Sequence, residues 1–294
     1  MNILITGGHG QLGSDVSTLL GMKHNVFSFG SRELDIADRE SVNAAFSQSR
    51  PDVLINCAAY TAVDNCETEK EQARQVNVKG PENLAKAMEA RNGRIIHIST
   101  DYVFAGNKPS TESYNEDDPV APLSEYGKSK LAGEKAITAH SSNYLILRTA
   151  WLYGRQGKNF LKTMLRLALA DHTRELKVVN DQYGSLTWTT TLARQIQAVL
   201  SSDLQGIAHA TAEGASTWYQ GACYFLDAMQ VPYNISPCVT SEYPTPAHRP
   251  ANSILDNRRL KQAGLSVFNS WQKDIDQFVK LHKKELIEEA TTQP

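Results

Sequence analysis

The chain predicts an α/β fold, a doubly wound parallel sheet (Rossmann-type) carrying a smaller C-terminal substrate-binding domain. Three observations lead there. Short apolar runs alternate with helix-length amphipathic stretches four times within residues 1–150. Spaced glycines stand directly after the first apolar run, where a phosphate-binding turn belongs. The regular alternation then lapses after Gly154. The expected division is a dinucleotide-binding domain over 1–150 and a substrate-binding domain over 151–294, the second part crossing back to the sheet at least once.

Composition narrows the function classes. A hydrophobic fraction of 41% and a charged fraction of 21% over 294 residues are ordinary for a globular protein. A net charge of -2 with both signs interspersed supplies neither a basic patch for nucleic acid nor a polybasic membrane anchor. No apolar run reaches the length of a membrane span, and Gly7, Gly8, His9 and Gly10 interrupt any leader-like pattern. A cytoplasmic location and a small-molecule partner are the expectations. Cys57, Cys66, Cys223 and Cys238 form no C-x-x-C pair, and the histidines have no ligand spacing, so reduced thiols and no metal are expected.

In chain order, residues 2–6 form the first buried strand and run into Gly7-Gly8-His9-Gly10-Gln11-Leu12-Gly13, followed by a helix through Leu20. Glycines at positions 7, 10 and 13 allow a tight turn, a close backbone approach to a pyrophosphate and close helix–strand packing. Residues 25–29 are the second strand. An NAD-selective site often ends this strand in an acid, but Gly30-Ser31-Arg32 follows. Arg32 either pairs with a 2′-phosphate, favouring NADPH over NADH, or is an exposed loop arginine. Asp35 and Ile36 either edge an adenine or cap the helix over 38–48. The third strand, 51–56, ends in Cys57-Ala58-Ala59-Tyr60, small residues that let a flat ligand lie against the backbone. A polar loop enters a helix over 73–90, and 93–99 is the fourth strand with Thr100 at its tip. His97 within it reads as a hydrogen-bonded sheet residue rather than a base.

The long polar loop over 108–122 leads to Tyr126-Gly127-Lys128-Ser129-Lys130 in a helix-forming stretch. Tyr126 and Lys130 fall at i and i+4 on one helical face. That spacing predicts a phenol whose pKa is drawn down by the ammonium, as a general acid requires. Further helices are expected over 159–170, 190–201, 217–229 and 271–289, with a strand over 143–149, a short strand and turn over 178–184, and a proline-rich loop between Pro232 and Pro250. Residues 291–294 are expected to fray.

With these residues in place, the chain resembles the extended short-chain dehydrogenase/reductase family over nearly its whole length. The resemblance is carried by the glycine turn, by the run from Asn56 to Asp64, by Ser99-Thr100-Asp101-Tyr102-Val103-Phe104, by Tyr126-x-x-x-Lys130, by Arg148-Thr149-Ala150-Trp151-Leu152-Tyr153-Gly154, by Asp181-Gln182-x-Gly184 and by Arg249-Pro250 with Ser253, Leu255 and Asp256. It implies reduction of a dTDP-4-keto-sugar by NADPH, with NADH as the alternative. Gly10, Gln11 and Leu12 would meet the pyrophosphate, Asp35 and Ile36 the adenosine, and Ala58, Ala59 and Tyr60 the middle of the cofactor. Thr100 and Tyr126 would hold the substrate carbonyl, and Lys130 the nicotinamide ribose. Asp101, Tyr102 and Trp151 would touch the nucleotide sugar. A homodimer is a further expectation.

The chain departs from the family's pattern at Cys57, Ala150 and Leu152, which are close in size to the usual residues, and at Leu186, where a proline is usual and where the substrate loop could change shape. Two other functions stay open. Epimerisation uses the same Tyr and Lys; a non-catalytic module, like the regulatory subunit of methionine adenosyltransferase, has the same fold. Dehydration is disfavoured because Tyr102 stands where its glutamate would be.

Overall fold

The computed structural model describes residues 1–292. The first half runs β1 (Asn2–Thr6), α1 (Gln11–Gly21), β2 (Asn25–Phe29), α2 (Arg39–Ser49), β3 (Val53–Asn56), α3 (Lys70–Arg74), a π-turn (Gln75–Lys79), α4 (Gly80–Glu89), β4 (Arg94–Thr100), α5 (Glu125–His140) and β5 (Tyr144–Thr149). The second half runs β6 (Leu152–Tyr153), α6 (Phe160–Ala170), β7 (Leu176–Val179), β8 (Tyr183–Gly184), β9 (Thr187–Trp188), α7 (Thr189–Leu200), β10 (Gly206–His209), β11 (Ser216–Thr217), α8 (Trp218–Met229), β12 (Ile235–Cys238), α9 (Arg258–Gln262) and α10 (Trp271–Thr292).

Six parallel strands form the main sheet in the order β10-β5-β4-β3-β1-β2, as the predicted doubly wound class requires. Its strands are apolar on both faces, so adjacent residues divide between two cores. Ile3, Ile5, Ile55, Ile96 and Leu147 pack with Val16 of α1 and Ile196 of α7. Leu4, Leu54, Ile95 and Ile146 pack with Phe46 of α2, Leu84 of α4 and Ile137 of α5. A third core, with Leu165, Trp188, Phe225 and Phe278, holds the C-terminal elements together.

The chain after Thr149 belongs to both regions. Trp188 joins the third core, whereas α7 lies against α1 and β10 extends the main sheet beside β5. Neither β10 nor α9 stands out in the sequence, because each is four or five residues long and lacks a full period of either pattern. The helix expected over 73–90 begins earlier, at Lys70, and widens into the π-turn at its centre. Of the residues expected to fray, Thr291 and Thr292 remain helical, and Gln293 and Pro294 lie outside the described residues. Among the described residues, no helix is long and apolar enough to cross a membrane.

Candidate active site

A cleft of about 990 Å³ opens at the carboxyl ends of the main-sheet strands, where open α/β sheets bind ligands. Its floor at one end is the glycine turn. Gly7 has φ +65°, and a Cβ there would stand 2.7 Å from the Ala58 nitrogen. A Cβ on Gly13 would stand 2.2 Å from the Gly7 oxygen. Helix α1 therefore starts hard against β1, and Gly10 caps it without a side chain. Its first N–H groups stay free to meet a phosphate, with the positive end of the helix dipole behind them.

Across the cleft, Ser124 caps α5 by accepting from the Gly127 N–H at 3.2 Å, which sets the start of the helix carrying Tyr126 and Lys130. Both side chains are buried, and both line the cleft with Thr100. A bidentate ion pair fixes the far side of this helix. Arg148 Nε and Nη2 donate to Glu134 Oε1 and Oε2 at 2.9 and 2.7 Å, and Ser99 Oγ donates to Glu134 Oε1 at 2.5 Å. The π-turn adds a third anchor. Asn77 accepts from the Tyr60 N–H at 2.8 Å and donates to the Tyr60 oxygen and to Ser129 Oγ at 3.0 Å each. One extra residue in the turn thus aims Asn77 at both the Ala58-Ala59-Tyr60 run and α5.

Electrostatics correct one expectation. The Tyr126 phenol is not drawn down by Lys130; burial pushes its pKa up, with Asp101 and Tyr102 adding to the effect and a hydrogen bond to Thr100 opposing it. Lys130 Nζ instead donates to the Ile98 carbonyl at 2.7 Å and faces His97 Nε2 at 3.5 Å. Burial lowers Lys130 to about 8. Asp101 is raised to about 6, again chiefly by burial. Its Oδ1 accepts from Thr100 Oγ1 at 2.9 Å, and its Oδ2 has no partner among the described residues. His97 is a hydrogen-bonded sheet residue, contacting Asn56 Nδ2 through Nδ1 at 2.9 Å.

Of the residues singled out from sequence, Gly7, Gly10, Gln11, Leu12, Asp35, Ile36, Ala58, Ala59, Thr100, Asp101, Tyr102, Tyr126, Lys130 and Trp151 line the cleft. Gly13, Arg32 and Tyr60 do not. Gly13 is spent on packing against Gly7; Arg32 is exposed beside Ser31, which does line the cleft; and the Tyr60 hydroxyl is turned outward to Glu69. Leu186 is buried in the third core near Gly221 and does not itself line the cleft.

Sequence reading missed Gln72, Lys158 and Trp218 on the lining. Trp218 stacks on Trp151 with ring centroids 3.6 Å apart, and Trp151 sits in the left-handed region at φ +47°. A bulky residue held there marks a conformation that the surroundings impose. Nothing in the sequence near Trp218 announces the pairing. For Lys158 the sequence marks only the helix start at Asn159; the structure adds that Asn159 caps α6 and donates to Gln11 Oε1 at 3.1 Å, bringing the start of that helix to the glycine turn.

The model of the RmlD substrate binding domain matches residues 1–283, which take in the glycine turn, the Thr-Tyr-Lys group and the six-stranded sheet. The chain belongs to the RmlD family. A dTDP-4-dehydrorhamnose reductase of Escherichia coli K12 is 39% identical, with 92% of this chain and 95% of that one covered. A probable dTDP-4,6-dihydroxy-2-methyloxan-3-one 4-ketoreductase of Streptomyces antibioticus is also 39% identical, with 92% of each chain covered. Among solved structures, a dTDP-4-dehydrorhamnose reductase of Bacillus anthracis in complex with NADP superposes with a TM-score of 0.91, at 35% identity and with 95% and 98% coverage. These matches cover at least 92% of this chain, so they extend over both the sheet and the C-terminal core.

Proposed function

We propose that this chain reduces the C4 ketone of dTDP-4-dehydro-L-rhamnose to dTDP-L-rhamnose with NADPH, NADH being the second cofactor. The observation that carries the reading is the meeting of Thr100, Tyr126 and Lys130 in the cleft that the glycine turn opens. Reductases of that sugar nucleotide stand among the relatives, one of them with NADP bound.

The glycine turn fits a dinucleotide, because Gly10, Gln11 and Leu12 at the start of α1 line the cleft and Gly10 caps that helix without a side chain. Gly10, Gln11 and Leu12 would hold the pyrophosphate, Asp35 and Ile36 the adenosine, and the Ala58-Ala59 backbone the middle of the molecule. Arg32 would answer a 2′-phosphate from its position beside Ser31. The nicotinamide, when bound, supplies the hydride. Tyr126 keeps its proton because burial holds the phenol neutral, which is the form that can protonate a developing alkoxide. Thr100 gives a second hydrogen bond to the same oxygen. Its hydroxyl now donates to Asp101 Oδ1, so it must turn from Asp101 toward the substrate oxygen to do this. Lys130 would hold the nicotinamide ribose. The unpartnered Asp101 oxygen can take a sugar hydroxyl, and Tyr102 and the Trp151–Trp218 stack form the apolar wall of the substrate end.

The test is absorbance at the reduced-nicotinamide band with purified dTDP-4-dehydro-L-rhamnose, comparing NADPH with NADH. Oxidation is expected, faster with NADPH. A second reading, reduction of a different dTDP-4-keto-sugar, has the Streptomyces relative in its favour. Oxidation with another such ketone, and none with the rhamnose precursor, would replace the first reading by the second.

A further inference from the structure

A line of buried polar side chains runs behind the cleft, from β1 through β3 and β4 to α5. Thr6 Oγ1 donates to Asn56 Oδ1 at 2.6 Å, Asn56 Nδ2 meets His97 Nδ1 at 2.9 Å, and His97 Nε2 meets Lys130 Nζ at 3.5 Å. All four residues are buried. The line has a direction. The Ala58 backbone N–H also donates to Asn56 Oδ1 at 3.1 Å, and a backbone N–H can only donate. Asn56 must therefore present its NH₂ group to His97, and His97 Nδ1 must accept. A neutral imidazole that accepts at Nδ1 carries its proton on Nε2. Burial and the neighbouring Lys130 keep His97 uncharged. Its Nε2–H is thus aimed at Lys130 Nζ.

An ammonium has donors only, whereas an amine has a lone pair that can accept. We propose that His97 is a positioning residue which, with its tautomer set by Asn56, holds Lys130 Nζ in place and favours the amine over the ammonium. The remaining neighbours divide. Glu134, one turn further along α5, favours the ammonium; burial opposes it more strongly, the Cys57 thiol at the end of β3 is itself held neutral by burial, and the sum for Lys130 lies at about 8. Arg148 on β5 is engaged with Glu134, and Tyr126 stands one turn before Lys130 on the same helix. Lys130 thereby carries a minor share of amine at neutral pH, with the two forms equal near pH 8, instead of being fully charged.

Lys130 can be followed directly, whatever the reaction, by the pH titration of its Cε resonance in protein labelled with ¹³C-lysine, assigned with Lys130→Arg. In His97→Gln the amide can turn its oxygen to Nζ, so the Lys130 midpoint is expected to rise by about one pH unit. In Asn56→Asp the carboxylate accepts a hydrogen bond from Nδ1–H, so the imidazole proton moves from Nε2 to Nδ1, Nε2 becomes an acceptor, and the rise is expected to be larger. The double variant separates tautomer from charge: without the imidazole, part of the Asn56→Asp rise must disappear. An unmoved midpoint in folded His97→Gln overturns the proposal. So does a full Asn56→Asp rise in the double variant. The kinetic consequence rests on the proposed reduction: the alkaline limb of kcat should move upward with the Lys130 midpoint, while KM for NADPH holds. A resonance that moves in protein that reduces no keto-sugar would keep the role of His97 and remove the reductase reading.

Discussion

Tyr126 shows how a residue can be identified correctly while its environment is not. The i, i+4 spacing placed it beside Lys130 on one helical face, but adjacency along a helix does not decide where an ammonium points. The Ile98 carbonyl and His97 draw Lys130 Nζ toward the sheet, and neither partner could be assigned before the register of β4 was known. What remains at Tyr126 is a buried, protonated phenol. For reduction, Tyr126→Phe is expected to lower kcat by about 10²–10⁴-fold with little change in NADPH affinity. Turnover near the parent level, measured with the keto-sugar at saturation, would remove Tyr126 from the proton-donor role. Arg32 makes a separate expectation: Arg32→Ala should weaken NADPH more than NADH. Equal losses by fluorescence titration would show that a charge beside Ser31 does not read the 2′-phosphate.

At the level of elements, strands and helices with a full period were legible and short ones were not. The alternation of Ile3, Leu4 and Ile5 between two cores, or the Thr217 cap before α8, can be seen in a few residues. The π-turn cannot, because Gln75 to Lys79 have no composition that distinguishes them from α-helix. Likewise the Trp151–Trp218 stack joins a strained loop residue to the start of a helix far along the chain. Helix α5 depends on a feature only partly visible in sequence, the buried pair Glu134–Arg148. Glu134→Ala would leave the Arg148 guanidinium buried without its partner, a loss of about 3–5 kcal/mol. Replacing both, as in Glu134→Ala with Arg148→Met, should return much of that loss. Urea unfolding of the two variants checks it, and equal destabilisation would mean that the pair acts through packing alone.

For the whole molecule, the two ends of the pH range load different parts of the fold. His209 is held neutral by burial and by nearby Arg148, and its pKa falls to about 3 from an ordinary 6.5. Its contribution to stability is complete above 6.5 and is lost as pH falls through about 3. Asp274, at the start of α10, behaves in the opposite sense. Both of its carboxylate oxygens are buried without a hydrogen-bond partner among the described residues, and burial raises its pKa to about 6, with the Arg194 charge opposing it. Because that value lies above the ordinary 3.8, the carboxyl favours the fold fully below 3.8, and the advantage is lost as pH rises through about 6. At pH 7.5 the protein therefore carries an ionised group in a place that suits a neutral one. Asp274→Asn keeps the shape and removes the charge, so it should stabilise the fold by roughly 1–3 kcal/mol at pH 7.5 and change little at pH 4. Thermal unfolding at both pH values measures the difference, and an equal change at the two would show that the Asp274 charge is not what the packing of α10 opposes.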